Sequence, residues 1–175
     1  MDKRRILIPM AIGLTVLGGY LISLIVSDGN GSVVMDPTGH PVLIDERSRR
    51  AHQSFQQAVS MLQAGKFEYA VTALHDVLAV YPALPEAHVN MGYAMLGLGD
   101  TEAAADFFDS ASDLRPTLHN AYYGLALAEI ENGNERSALA AMQAFAHLAA
   151  EGDRHLPVAQ EVIRDLQARL EEAPQ

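Results

Sequence analysis

Cysteine is absent from the 175 residues, which excludes a disulfide framework, a thiolate zinc site, covalent haem attachment through cysteine and an acylated-cysteine anchor. Tryptophan is missing too, and aromatics make up only 6% of the chain. Ala and Leu dominate the 49% hydrophobic fraction, a mixture that favours helix over sheet. The expected fold class is all-α. Cations are scarce: 12 Lys and Arg face 22 Asp and Glu, for a formal charge of -10. Asp2, Lys3, Arg4 and Arg5 leave the first five residues at +2, so the remainder carries -12. A surface of that sign repels phosphate backbones and argues against nucleic acid as a partner.

What is present begins with an uncharged run from Ile6 to Val26. As a helix these residues would be about 31 Å long, which matches the hydrocarbon thickness of a bilayer. A cleavable signal peptide would have a core of about 7–15 residues followed by a small-x-small site. The exit here reads Leu24-Ile25-Val26-Ser27-Asp28, with no such site, so residues 1–27 are expected to form an uncleaved single-pass anchor. Lys3, Arg4 and Arg5 on its N-terminal flank place that end in the cytoplasm. The rest of the chain would then lie on the periplasmic or extracytoplasmic side of an inner (cytoplasmic) membrane. Ala11, Thr15, Gly19 and Ser23 recur every four residues and would form a transmembrane packing face for a second helix.

Residues 28–50 read as a linker. Asp28, Gly29, Asn30, Gly31 and Ser32 make a flexible tether. Two β-type runs follow, Val33 to Met35 and Val42 to Ile44, around an Asp-Pro and Gly turn signal. They would form either a small hairpin or an extended arm. Helix is expected from about Asp45, a good N-cap, with Glu46 well placed in the first turn.

From there the chain repeats. Gly65, Gly99 and Gly133 stand 34 residues apart, as do Pro82 and Pro116. Ala70, Ala104 and Ala138 recur in the same phase, followed by Leu74, Phe108 and Met142. Each unit reads as a helix, a Gly-centred turn in which the glycine takes the left-handed cap conformation, and a second helix. The recurrent alanine lets the helix axes approach, the large residue four positions on fills the gap, and the proline is expected to stop the second helix. A single hairpin buries little, so three are stacked to make one core.

Residues 51–152 resemble three tandem tetratricopeptide repeats, 51–84, 85–118 and 119–152. The middle unit carries Gly92, Gly99, Ala104, Phe108, Ala111 and Pro116 at the motif's small, turn, small, aromatic, small and proline positions. The first keeps Ala58, Gly65, Ala70 and Pro82; the third keeps Leu125, Ala126, Gly133 and Ala138 but has Ala150 where the proline would be. The resemblance implies a right-handed α-solenoid. Residues 153–175 supply Ala159, Val162, Ile163, Leu166 and Leu170 at helical spacing, which reads as an amphipathic capping helix and tail.

In that family the first helix of each hairpin lines a concave groove that takes peptides or helices. Carried over position by position, the resemblance implies a partner-binding groove of His52, Phe55, Gln56 and Val59; Glu86, Val89, Asn90 and Tyr93; and Asn120, Tyr123 and Leu127. Its aromatic and apolar surface with amide edges suits an extended apolar segment. Family members that hold a C-terminal carboxylate use Lys, Arg and Asn at five groove positions. Only Asn90 matches; Phe55, Val59, Asn120 and Gly124 occupy the others, so such a clamp is not implied.

The seven histidines include no i, i+4 pair beside a glutamate, although His52 and Glu86 are expected to share a groove edge; no metal, haem or other cofactor is expected. Without a phosphate loop or nucleophile elbow, no enzyme activity is expected either. The leading expectation is a membrane-tethered scaffold or assembly factor that binds a protein segment. The alternatives are a permanent accessory subunit of a membrane complex, held by helix contacts or self-association, and a haem-handling component of cytochrome c maturation.

Overall fold

A computed structural model describes residues 32–35 and 41–172. The expected anchor at 1–27, with Ala11, Thr15, Gly19 and Ser23, lies outside the described residues, as do the tether at 28–31, the turn at 36–40 and the tail at 173–175. Among the described residues no helix is long and apolar enough to cross a membrane. The chain divides near Glu46 into two units.

The first contains a hairpin of β1 (Ser32–Met35) and β2 (Pro41–Ile44). The strands are antiparallel, with Val33 opposite Leu43 and Val34 opposite Val42. Of the two arrangements open to these runs, the structure adopts the hairpin.

The second unit holds seven α-helices: α1 (Glu46–Gln63), α2 (Phe67–Leu78), α3 (Pro85–Leu98), α4 (Thr101–Leu114), α5 (His119–Glu131), α6 (Glu135–Leu148) and α7 (Leu156–Glu172). The first six form the three hairpins that the 34-residue period predicts. Gly99 closes α3 at φ +80, and its N–H and that of Asp100 donate to the carbonyls of Leu96 and Met95 at 3.0 and 2.9 Å. This double bond pattern ends a helix on a left-handed residue, where glycine alone carries no Cβ penalty. Gly65 and Gly133 repeat it at φ +68 and +76.

The core follows the recurrent positions. Ala70, Ala104 and Ala138, and likewise Leu74, Phe108 and Met142, are fully buried. Phe108 lies between two first helices: a Cβ added at Gly92 would stand 2.8 Å from its ring, and one at Gly124 2.2 Å. Both positions therefore need hydrogen in place of a side chain. The large aromatic fills the space that the two glycines leave. At the open end, α7 packs on α6, burying Ala159 and packing Val162 and Ile163 against Met142 and Phe145.

The expected role of the prolines holds at Pro116, which directly follows the extended α4 cap Arg115, and needs correcting elsewhere. Pro82 stands beyond Tyr81, well past the end of α2 at Leu78, and α6 ends at Leu148 with no proline nearby. The proline carbonyls also join successive units: Pro82 O accepts from His88 Nε2 at 2.8 Å, and Pro116 O accepts from the Tyr122 hydroxyl at 3.2 Å. His88 and Tyr122 are themselves 34 residues apart, so the inter-repeat joint recurs in register. At the opposite ends of the helices, Thr101 Oγ1 bonds Asn132 Oδ1, tying α4 to the end of α5.

Candidate functional site

The first helices α1, α3 and α5 bring six of the expected groove residues onto two hollows. The larger, about 810 Å³, is lined by Ala51, His52 and Phe55 of α1, Glu86 of α3, Arg115, and Val77 to Leu84 where α2 turns into the next unit. Its walls are chiefly apolar because Phe55 and Leu84 pack against the cluster of Ala58, Leu74, Val77 and Met91. His52 and Glu86 do share this edge. His52 is exposed, its Nε2 standing 3.1 Å from Gln56 Nε2. Arg115 donates through both Nη atoms to the two carboxylate oxygens of Glu86, a fork that fixes the guanidinium across the α3 end of the hollow.

The smaller hollow, about 350 Å³, is lined by Tyr93, His119, Asn120, Tyr123 and Phe145, and by Asp153, Arg154 and His155 from the loop before α7. Its aromatic rings support one another. Tyr123 lies 5.0 Å from Phe145 and 4.7 Å from His155, while Tyr93 meets Phe108 edge-on at 4.9 Å. The Tyr93 hydroxyl donates to the Asn120 carbonyl at 3.4 Å. Burial, with Tyr123 adding to it, pushes its pKa from 10.0 up to about 12, so Tyr93 stays a neutral donor at physiological pH. Asn120 Oδ1 is buried and has no donor among the described residues. Asp153 accepts from the backbone N–H of His155 at 2.8 Å and lies 3.7 Å from His119 Nε2.

Of the expected residues, His52, Phe55 and Glu86 meet at the first hollow and Tyr93, Asn120 and Tyr123 at the second. Gln56, Val59, Asn90 and Leu127 line neither hollow; they are exposed (Gln56) or partly buried (the others). Val89 is a correction. It is 2% exposed and packs against Ala104, Phe108 and Ala121, because the fifth position of the middle unit turns into the tight space beside Phe108. Residues that repeat position did not reveal come mostly from connections: Tyr81, Leu84, Arg115, Asp153 and His155. Motif positions within helices carry no signal for loops.

The fold so described is the tetratricopeptide-repeat solenoid, seven helices with a three-hairpin core. The sequence profile of the tetratricopeptide repeat family matches residues 54–83, which lie in the first hairpin. No curated protein matches the sequence. Among solved structures, the TPR2B domain of yeast Sti1 in its pHsp70 complex superposes with a TM-score of 0.64 at 18% identity, covering 70% of this chain and 99% of that one. The first TPR domain of Spaghetti bound to an HSP90 peptide gives 0.65 at 17%, covering 71% and 96%. The type III secretion translocator chaperone SycD of Yersinia enterocolitica gives 0.64 at 14%, covering 73% and 89%. At these identities the likeness is one of fold.

Proposed function

We propose that the chain is a membrane-tethered scaffold or assembly factor whose first-helix face holds an extended or helical segment of a protein partner on the extracytoplasmic side, acting by binding. The observation that carries this reading is the apolar hollow beside Phe55. It is roomy enough for bulky side chains, walled by Val77, Val80, Tyr81 and Leu84, and edged by the few polar groups of His52, Glu86 and Arg115. Pockets of this composition recognise apolar ligands and orient them through a small number of polar contacts. The Spaghetti domain bound to an HSP90 peptide and the Sti1 domain in its pHsp70 complex support peptide holding as a use of this fold. The ligand chemistry here differs: with Phe55, Val59, Asn120 and Gly124 at four of the five clamp positions, the favoured segment is apolar rather than acidic. The uncharged run from Ile6 to Val26 and the basic residues before it support the tether and its orientation.

A photoreactive residue in place of the exposed His52 tests the reading in intact membranes. Irradiation is expected to capture one partner protein, and Phe55→Asp in the same chain is expected to abolish the adduct. Capture of nothing but the chain itself, or an adduct indifferent to Phe55→Asp, would remove the role.

A further inference from the structure

Equivalent residues of successive units border equivalent furrows between second helices, and the two furrows are filled differently. At the first, Phe107 of α4 packs on the cluster of Leu74 and Met91 beside Val71 and Met95, with its ring 6.0 Å from His88. Thirty-four residues on, Phe107 is replaced by Ala141, Met91 by Leu125 and Met95 by Glu129. The second furrow, between α4 and α6, accordingly stays open as a hollow of about 430 Å³. Its floor is Tyr122, Leu125 and Glu129 of α5, and its α6 wall is made of small residues such as Ala140 and Ala144.

The charged residues that line the furrow have one sign; Arg136, beside the lining Ser137 on α6, is not among them. Asp106 and Asp109 line the α4 wall and Glu129 the floor, and α4 and α5 contain no Lys or Arg. Among the described residues Asp106 and Asp109 join no ion pair. The Glu129 carboxylate accepts from the neutral amide of Asn134, at 2.7 Å, and joins no ion pair among the described residues. Three carboxylates around an apolar floor attract cations more strongly than the same charges in open water. The lining residues of each helix span two turns, about 10 Å, which is the footprint of about two turns of another helix.

We propose that this furrow is a second docking surface, separate from the first-helix hollows, and that its occupant is a basic amphipathic helix of another protein. A bulky apolar residue of that helix takes the space that Phe107 fills in the preceding furrow. Lys or Arg one turn away meets Asp106, Asp109 and Glu129.

The probe is a synthetic amphipathic helix with a Leu stripe, Lys flanks and one Trp, titrated into the purified full chain. Because the chain has no Trp, indole fluorescence reports the probe alone. The Lys peptide is expected to bind, with affinity that falls as salt is raised, and a Glu-for-Lys version is expected not to. Asp106→Asn/Asp109→Asn/Glu129→Gln is expected to weaken binding about tenfold or more. Neutralising three charges off the furrow, Glu102→Gln/Asp113→Asn/Glu131→Gln, is expected to have a much smaller effect. Ala141→Phe, which rebuilds the filled furrow, is expected to block the peptide while circular dichroism stays helical. The proposal is overturned if Lys and Glu peptides behave alike, if neither binds, if the two triple variants weaken binding equally, or if a folded Ala141→Phe protein binds as before.

Discussion

A methyl group at Gly124 would stand 2.2 Å from the Phe108 ring, nearer than the 2.8 Å at Gly92, and the ring is fully buried with little room to retreat. Gly124→Ala is therefore expected to destabilise the domain by about 1–3 kcal/mol, the usual cost of overpacking, and by more than Gly92→Ala; urea unfolding compares them directly. Tyr93 gives a different kind of prediction. Its hydroxyl ionises near pH 12 when folded against 10.0 for the free group, so above pH 10 the unfolded chain releases this proton before the folded one does. The stability tied to the neutral hydroxyl is intact below pH 10 and is lost between about pH 10 and 12, by up to roughly 2–3 kcal/mol. Tyr93→Phe should flatten that stretch of the stability curve. An unchanged slope would assign the loss to other groups. At the hairpin turn, Gly99→Ala places a Cβ on a residue held at φ +80 and is expected to lower stability by about 1 kcal/mol.

At the level of helices, the six hairpin helices follow from the glycine period because a left-handed cap dictates where a first helix ends, and that requirement is local. The hydrophobic spacing of α7 was equally legible, since one face must close the solenoid. Leu166 is fully buried there, and Leu166→Ala is expected to cost about 2–5 kcal/mol, with hydrogen exchange rising first in α6 and α7, where nearest-neighbour stacking is weakened. Less legible was anything that depends on a partner element. Val89 has the same repeat position as Phe55 and Tyr123, yet its surroundings are decided by Phe108 crossing from another helix. Proline as a helix stop was legible at Pro116, next to the extended α4 cap, but not at Pro82, four residues past α2, and neither carbonyl's joint to the next unit was.

For the molecule as a whole, the class of fold was readable from one interval, 34, and the resemblance that interval supports pointed to six of the residues that line the two hollows. The loop-borne walls of both hollows were not, because Arg115, Tyr81 and His155 reach them only through tertiary placement. The expected anchor carries its own whole-chain prediction: the intact chain should resist alkaline carbonate extraction from membranes. Removing residues 1–27 should release a soluble protein that keeps the helical circular dichroism of α1 to α7; release of the intact chain would overturn the tether. The recurring bond from the fourth residue of a unit to the proline carbonyl six residues before it reaches further still. A duplicate of residues 85–118 spliced after Leu118 would present its own His88 to the existing Pro116, and its own Pro116 to Tyr122. The first seam would also set the copy's Asn90, the repeat equivalent of Gly124, against the Phe108 ring, so a gene encoding this chain can grow by whole modules once that one residue becomes glycine.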